Sequence, residues 1–311
     1  MPAMGQALTD RIGFIGGGHM ARALIAGLLR QGVPPGHICV GEPAAPVRAA
    51  LARDFNVAVS PDNAAAVGGA AVVVLAVKPQ DTRSALRDLQ GRVRADAVLL
   101  SIAAGVPIEM LAQVCALPIV RAMPNRAALL GAAITGLFAR PGVGAPERAR
   151  AERIGAAAGR TVWVRSEPEL DLLTALSGSG PAYFILLAEQ LAQAAAALGL
   201  AADTAAMLAV ETLHGTGLLA RHAVAAAVAA ADCGAGTDAP DAGAIGRALA
   251  EERRAVTSRG GTTEAALRVL AEGGFDALIA RALQAAAARA AQIACAPAPP
   301  TAARAPGQDG P

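Results

Sequence analysis

Six consecutive residues near the start of the chain, Gly16-Gly17-Gly18-His19-Met20-Ala21, fit the pattern G-x-G-x-x-[GA]. They follow the short apolar run Arg11 to Ile15 and open a helical pattern from about Met20 to Arg30. In that setting each small residue has its own task. Gly16 allows the tight turn, Gly18 lets the backbone approach a pyrophosphate with no Cβ in the way, and Ala21 keeps the helix close to the strand. The helix start offers unpaired N–H groups to the anion. A structural Gly-rich turn would use the same residues, but the strand before the motif, the helix after it and the strands beyond it favour a dinucleotide. His19 and Met20 line the loop. Glu42 stands at the end of the second predicted strand, roughly 20 residues further on, where a carboxylate accepts hydrogen bonds from the adenosine ribose hydroxyls. A carboxylate there repels a 2′-phosphate, so NADH is favoured over NADPH.

Three further groups of residues could do chemistry. Lys78, the only lysine in the chain, follows the apolar run Ala70 to Val77; it is either a polar strand end or part of the cofactor's border, and it is not assigned as an acid. Ser258-Arg259-Gly260-Gly261-Thr262-Thr263 precedes a clear helix, Glu264 to Gly274. Free N–H groups at such a start can take a carboxylate, or can simply be an ordinary helix cap. Ser177-Gly178-Ser179-Gly180-Pro181-Ala182-Tyr183 places a proline at a first helical position. The four histidines and four cysteines have no metal-ligand spacing and no CxxC pair, so no metal site is expected.

The elements that must hold these residues are legible in outline. Ala70 to Val77 and Ala97 to Ile102 are continuous, β-branched apolar runs of the kind found in parallel sheets buried on both faces. Ile38 to Val40, Pro118 to Ala122, Ile134 to Phe138 and Thr161 to Val164 read as further strands. Helical stretches between them imply right-handed βαβ crossovers. From Pro168 to about Cys295 the chain is helix upon helix, including 181–198 and 203–219. This predicts a Rossmann-type α/β domain over 1–165, an all-α domain over 166–295 and a Pro-rich disordered tail over 296–311. The Gly/Asp/Pro middle of the low-complexity stretch 223–246 reads as a loop. A net charge of +2 excludes a basic nucleic-acid surface. The apolar runs fall far short of the ~20 residues of a membrane helix. With no signal peptide visible and scattered cysteines, a cytoplasmic protein is expected.

Lys78-Pro79, Ser101-Ile102-Ala103-Ala104-Gly105, Arg121-Ala122-Met123-Pro124-Asn125, the Ser177 to Tyr183 motif and Ser258 to Thr263 occur in this order behind Gly13 to Ile25. Together the set closely resembles pyrroline-5-carboxylate reductase, over about Arg11 to Ala294. The resemblance implies reduction of 1-pyrroline-5-carboxylate to L-proline with NAD(P)H, the last step of proline biosynthesis. It implies a homodimer, or an assembly of dimers, through an interleaved helical domain. Carried over by motif, Val77, Lys78 and Pro79 border the cofactor, and Ala103, Gly105, Pro124 and Asn125 lie near the nicotinamide. Ser258, Gly261, Thr262 and Thr263 hold the substrate carboxylate and ring nitrogen, with Thr263 on the nitrogen.

Two positions depart from the family pattern. Arg126-Ala127 replaces the usual Thr-Pro after Asn125, and Arg259 replaces a proline. The segment from about 222 to 251 is also longer than usual. These departures leave open a reductase of another cyclic imine or small acid on the same fold, or a non-catalytic dinucleotide-binding paralogue. The β-hydroxyacid dehydrogenases are disfavoured, because they need a lysine in the helical domain and this one has none.

Overall fold

The computed structural model describes residues 10–87, 89, 91–234 and 243–295, without the side chains of 230–234, 294 and 295. The expected loop across 235–242 and the expected tail from 296 lie outside the described residues. Eight strands form one sheet: β1 (Ile12–Ile15), β2 (Ile38–Gly41), β3 (Ala58–Ser60), β4 (Val72–Leu75), β5 (Val98–Ser101), β6 (Ile119–Met123), β7 (Ala133–Ala139) and β8 (Gly159–Trp163). Their order is β3-β2-β1-β4-β5-β6-β7-β8. All neighbours are parallel except β6 and β7. The parallel strands are buried because helices cover both faces. Ile12, Phe14, Val72, Val74, Val98 and Leu100 enter one core, and the alternate residues Ile15, Val73, Leu75 and Leu99 enter the other. This is the period-two geometry of a strand with two apolar faces.

The register fixes where function can sit. Ile15, Gly41, Leu75, Ser101 and Arg121 lie in one row across β1, β2, β4, β5 and β6. Gly16, Glu42, Ala76–Pro79, Ile102–Gly105 and Ala122–Asn125 all follow that row. They therefore collect at the carboxyl ends of the parallel strands, with Gly16 at the β1/β4 switch point where doubly wound folds take ligands. The edge strand β3 is absent from the sequence-predicted strands. Its three residues lie between Asn56, at φ 54°, and Pro61, and are too few to carry a periodic signal.

The chain divides into two compact units, one up to Pro181 together with the end of the last helix from Ala285, the other Ala182–Gln284. The first unit runs past residue 165, where the strand and helix patterns of the sequence change over. Helix Glu167–Leu173 packs on the sheet: a Cβ at Gly136 of β7 would lie 2.5 Å from Leu173 and 2.9 Å from Leu170. The second unit is helical and takes in Ala202–Gly234, Ala244–Ala255 and Thr262–Glu272, with parts of Gly180–Ala197 and Phe275–Cys295.

One expectation is corrected. Helix Glu167–Leu173 continues through a π-turn, Thr174–Gly178, into Gly180–Ala197. The combined helix Glu167–Ala197 is long and apolar enough to cross a membrane by length and composition, and little of its apolar stretch is buried. Counting uninterrupted apolar residues missed it, because polar residues and glycines punctuate a helix that nevertheless runs on.

Candidate active site

The first glycine of the loop sits at φ +94°, a left-handed conformation that glycine adopts without strain. Its N–H donates to the Gly41 carbonyl at 2.8 Å, and a Cβ there would meet the Ala76 carbonyl at 2.8 Å and Val77 at 3.1 Å. Gly16 thus serves a turn wedged between β2 and β4. Gly17 is small for a different reason: its Cβ would strike Leu51 at 2.5 Å. At Gly18 an added Cβ meets nothing within 4 Å. That open space lies at the N-cap of helix His19–Arg30, whose first turn carries no acidic residue and whose cap makes no side-chain hydrogen bond. His19 is exposed, Met20 half-buried and Ala21 buried against the core. An uncapped helix start facing space that no Cβ fills suits a pyrophosphate.

Glu42 does more than the sequence suggests. Its Oε2 accepts from the Gly17 N–H at 3.0 Å and its Oε1 from the Ala44 N–H at 2.9 Å. The carboxylate therefore pins the glycine loop to the end of β2. Arg48 donates through Nη1 to the carbonyls of Glu42 and Pro43, at 2.8 and 2.7 Å. Its guanidinium braces the same turn.

Val77 is half-buried beside Gly16, while Lys78 and Pro79 are exposed. Ala103 is buried, Ala104 exposed, and Gly105 turns the chain at φ +71°. Pro124 is buried. Asn125 donates from Nδ2 to the Ser177 carbonyl at 3.1 Å, across to the π-turn. Its Oδ1 is buried and has no partner. Arg126 and Arg259, the two departures, are both exposed.

In the helical unit, Thr262 opens helix Thr262–Glu272 behind the N-cap Gly261, which has no side chain to cap it. Thr262 is exposed and Thr263 half-buried. The Gly261 N–H donates to the Ser258 carbonyl at 3.0 Å, so this amide is used within the turn, leaving the amides of Thr262 and Thr263 as the donors. Glu264, which the sequence reading left as an ordinary helix residue, reaches back to accept from Gly260 N–H at 2.6 Å. A glutamate in the third helical position ordinarily reaches back to the N-cap amide; here it takes the amide one residue earlier.

A second omission is Arg121. It is only 4% exposed on β6 and donates to Glu167 Oε1 at 2.7 Å; the same oxygen accepts from the Ile108 N–H at 3.0 Å. Burial pushes the neighbouring Asp171 carboxyl up, Glu167 adds to this, and Arg121 opposes it. An arginine inside an apolar strand was the available signal. Among the described residues no group of histidine, cysteine and carboxylate side chains could hold a metal ion.

Two family models match. Residues 167–293 match pyrroline-5-carboxylate reductase dimerisation. Residues 11–105 match NADP oxidoreductase coenzyme F420-dependent. A pyrroline-5-carboxylate reductase of Pseudomonas aeruginosa is 40% identical over 92% of this chain and 97% of its own length. Another, of Haemophilus influenzae, is 37% identical over 91% and 97%. The solved pyrroline-5-carboxylate reductase of Coxiella burnetii is 35% identical, with a TM-score of 0.79 over 92% of this chain and 98% of that one. The Plasmodium falciparum pyrroline carboxylate reductase, solved with NADP bound, shares the fold at 22% identity and a TM-score of 0.73.

Proposed function

The chain belongs to the pyrroline-5-carboxylate reductase family, and on that premise we propose how its residues divide the reduction of 1-pyrroline-5-carboxylate to L-proline. The nicotinamide cofactor, when bound, supplies a hydride to the imine carbon. Gly16, Gly18, His19, Met20 and Ala21 seat its pyrophosphate, and Glu42 takes the adenosine ribose. Val77, Lys78 and Pro79 border it. Ala103, Gly105, Pro124 and Asn125 lie beside the nicotinamide. Ser258, Thr262 and Thr263 hold the substrate carboxylate and ring nitrogen, with Gly261 shaping their turn. The protein contributes positioning and electrostatics. The observation that carries the reading is the open space at Gly18 before an uncapped helix start. Loss of NADH absorbance on adding pyrroline-5-carboxylate, with proline as the product, tests it. Free thiols at Cys39 and Cys115 suit a reducing compartment, and we place the enzyme in the cytoplasm.

The cofactor preference follows from Glu42. NADPH would bring its 2′-phosphate toward a carboxylate already engaged with two backbone amides. Repulsion of roughly 1.4 kcal/mol is enough for about tenfold discrimination, and NADH is expected to be preferred by at least that in kcat/KM. Glu42→Gln keeps an acceptor for the loop but removes the charge, so it should narrow the gap by improving NADPH. A parent enzyme that strongly prefers NADPH would refute the assignment.

The helical unit supports a homodimer or larger assembly. Among its described residues only Ala188 and Ala205 are buried apolar side chains, while Phe184, Ile185, Leu186, Met207, Leu208 and Val210 are exposed. A surface of that kind marks an interface. The match of residues 167–293 to the dimerisation family model supports a second copy as what covers it, over a lipid bilayer. Light scattering should give a mass at least twice the 30.8 kDa of one chain. A stable monomer would contradict this.

A further inference from the structure

Glu167 joins three segments through one oxygen. Oε1 accepts from Arg121 of β6 and from the backbone N–H of Ile108, the first residue of helix Ile108–Ala112. That helix begins three residues after Gly105, beyond Val106 and its N-cap Pro107. Glu167 itself opens helix Glu167–Leu173, whose continuation is the π-turn that supplies the Ser177 carbonyl to Asn125. The helix is thus tied to β6 at Arg121 and to the chain just past β6 at Asn125. Ten helical residues from Glu167 to Ser177 span roughly 15 Å. The four steps from Arg121 to Asn125, the last two of them past the end of β6 but still extended at Asn125, span roughly 13 Å. The near match lets both ties form at once. The second tie also fixes the amide of Asn125: Nδ2 must face the carbonyl, which leaves Oδ1 buried, unpartnered and available as an acceptor. The Ser177 carbonyl is left to accept from outside the helix because the residue four further on, Pro181, has no N–H to give it.

We propose that Glu167 is a positioning residue for hydride transfer, its single carboxylate setting the loop Ala103–Gly105 and the Asn125 Oδ1 acceptor at one spacing. This rests on the reading that the loop and Asn125 border the nicotinamide. Glu167 touches neither substrate nor cofactor; it acts through Ile108, Arg121 and the helix it opens.

Two variants test the proposal. Removing Glu167 alone would strand a buried guanidinium, whereas Arg121→Met with Glu167→Leu removes both charges, and replacing a buried pair by apolar groups is often neutral for stability. The double variant is expected to fold with a modestly lower Tm, because the Ile108 amide loses its acceptor, and to keep its NADH Kd, since the Gly16–Ala21 loop is untouched. Its Ile108 amide should exchange faster with solvent, and its single-turnover hydride transfer should slow about tenfold or more, because small misplacements of reacting groups are costly. KM for the imine should change little. Glu167→Gln, which keeps an acceptor for both Arg121 and the Ile108 amide, should fall between parent and double variant. Hydride transfer within about twofold of the parent, alongside faster Ile108 exchange, overturns the proposal. If the double variant does not fold, the same result in Glu167→Gln overturns it. Ala104→Trp serves as control: bulk on the exposed middle of the loop should cut turnover. Normal turnover there would overturn the loop reading and the proposal with it. A damaged control beside an undamaged double variant overturns the proposal alone.

Discussion

Gly18→Val is expected to lose NADH affinity by about a hundredfold or more while melting at the parent's temperature. The two halves of that expectation come from separate observations. The backbone at Gly18 is extended, at φ −68° and ψ −178°, a conformation any residue adopts. A Cβ there meets no protein atom within 4 Å. The fold therefore has no objection to valine. What the side chain does fill is the space before the first N–H groups of helix His19–Arg30, where the pyrophosphate is proposed to sit. Hydrogen bonds to a charged group contribute about 1.5–3 kcal/mol each, so losing two costs two powers of ten or more. Gly27→Ala gives the contrast. Its Cβ would lie 2.0 Å from the Ala157 carbonyl, so that variant should be destabilised. Titration of both variants with NADH, beside thermal unfolding, separates binding from folding. Unchanged affinity in a folded Gly18→Val would remove the pyrophosphate from this loop.

Thr263→Ala is expected to lower kcat/KM for pyrroline-5-carboxylate by about one to two powers of ten, the effect of one charge-assisted hydrogen bond. The side chain is half-buried at the second position of helix Thr262–Glu272, behind a glycine cap that leaves the helix start open. Alanine is the better helix former, so stability should not suffer. NADH affinity should hold as well, because the loop Gly16–Ala21 belongs to the other compact unit. Thr263→Ser retains the hydroxyl and should be far milder. The local surroundings sharpen the test. Glu264 already brings a carboxylate to this turn, bound to the Gly260 N–H, so a substrate carboxylate needs directed donors to settle beside it. Parent-like kcat and KM in Thr263→Ala would reduce this turn to a helix cap.

The parallel sheet was legible because its strands are buried on both faces and read as unbroken apolar runs, Val72–Leu75 and Val98–Ser101 above all. The Gly16–Ala21 loop was legible for the same kind of reason: chain-local spacing carries its geometry. What escaped the sequence were contacts between distant positions. Nothing near residue 42 says that Glu42 binds the Gly17 amide. The 46-residue separation between Arg121 and Glu167 hides their pairing, although an arginine in the middle of an apolar strand announced that some partner must exist. The continuous helix Glu167–Ala197 escaped for another reason: its Ser-Gly repeat looks like a break, and the chain absorbs it as a π-turn.

Among its described residues the helical unit buries almost no apolar side chains, and this has a thermodynamic consequence. A segment that buries little of its apolar surface within itself gains little hydrophobic free energy from folding alone. In the proposed dimer, most of that gain arrives only when a second copy covers the exposed leucines and isoleucines. On that proposal, folding of this half is a bimolecular event, its free energy shifting with the logarithm of protomer concentration. The sheet, with its two internal cores, has no such dependence. Dilution and heat therefore act differently on the two halves of one chain: dilution loosens the helices, while the nucleotide fold answers to temperature.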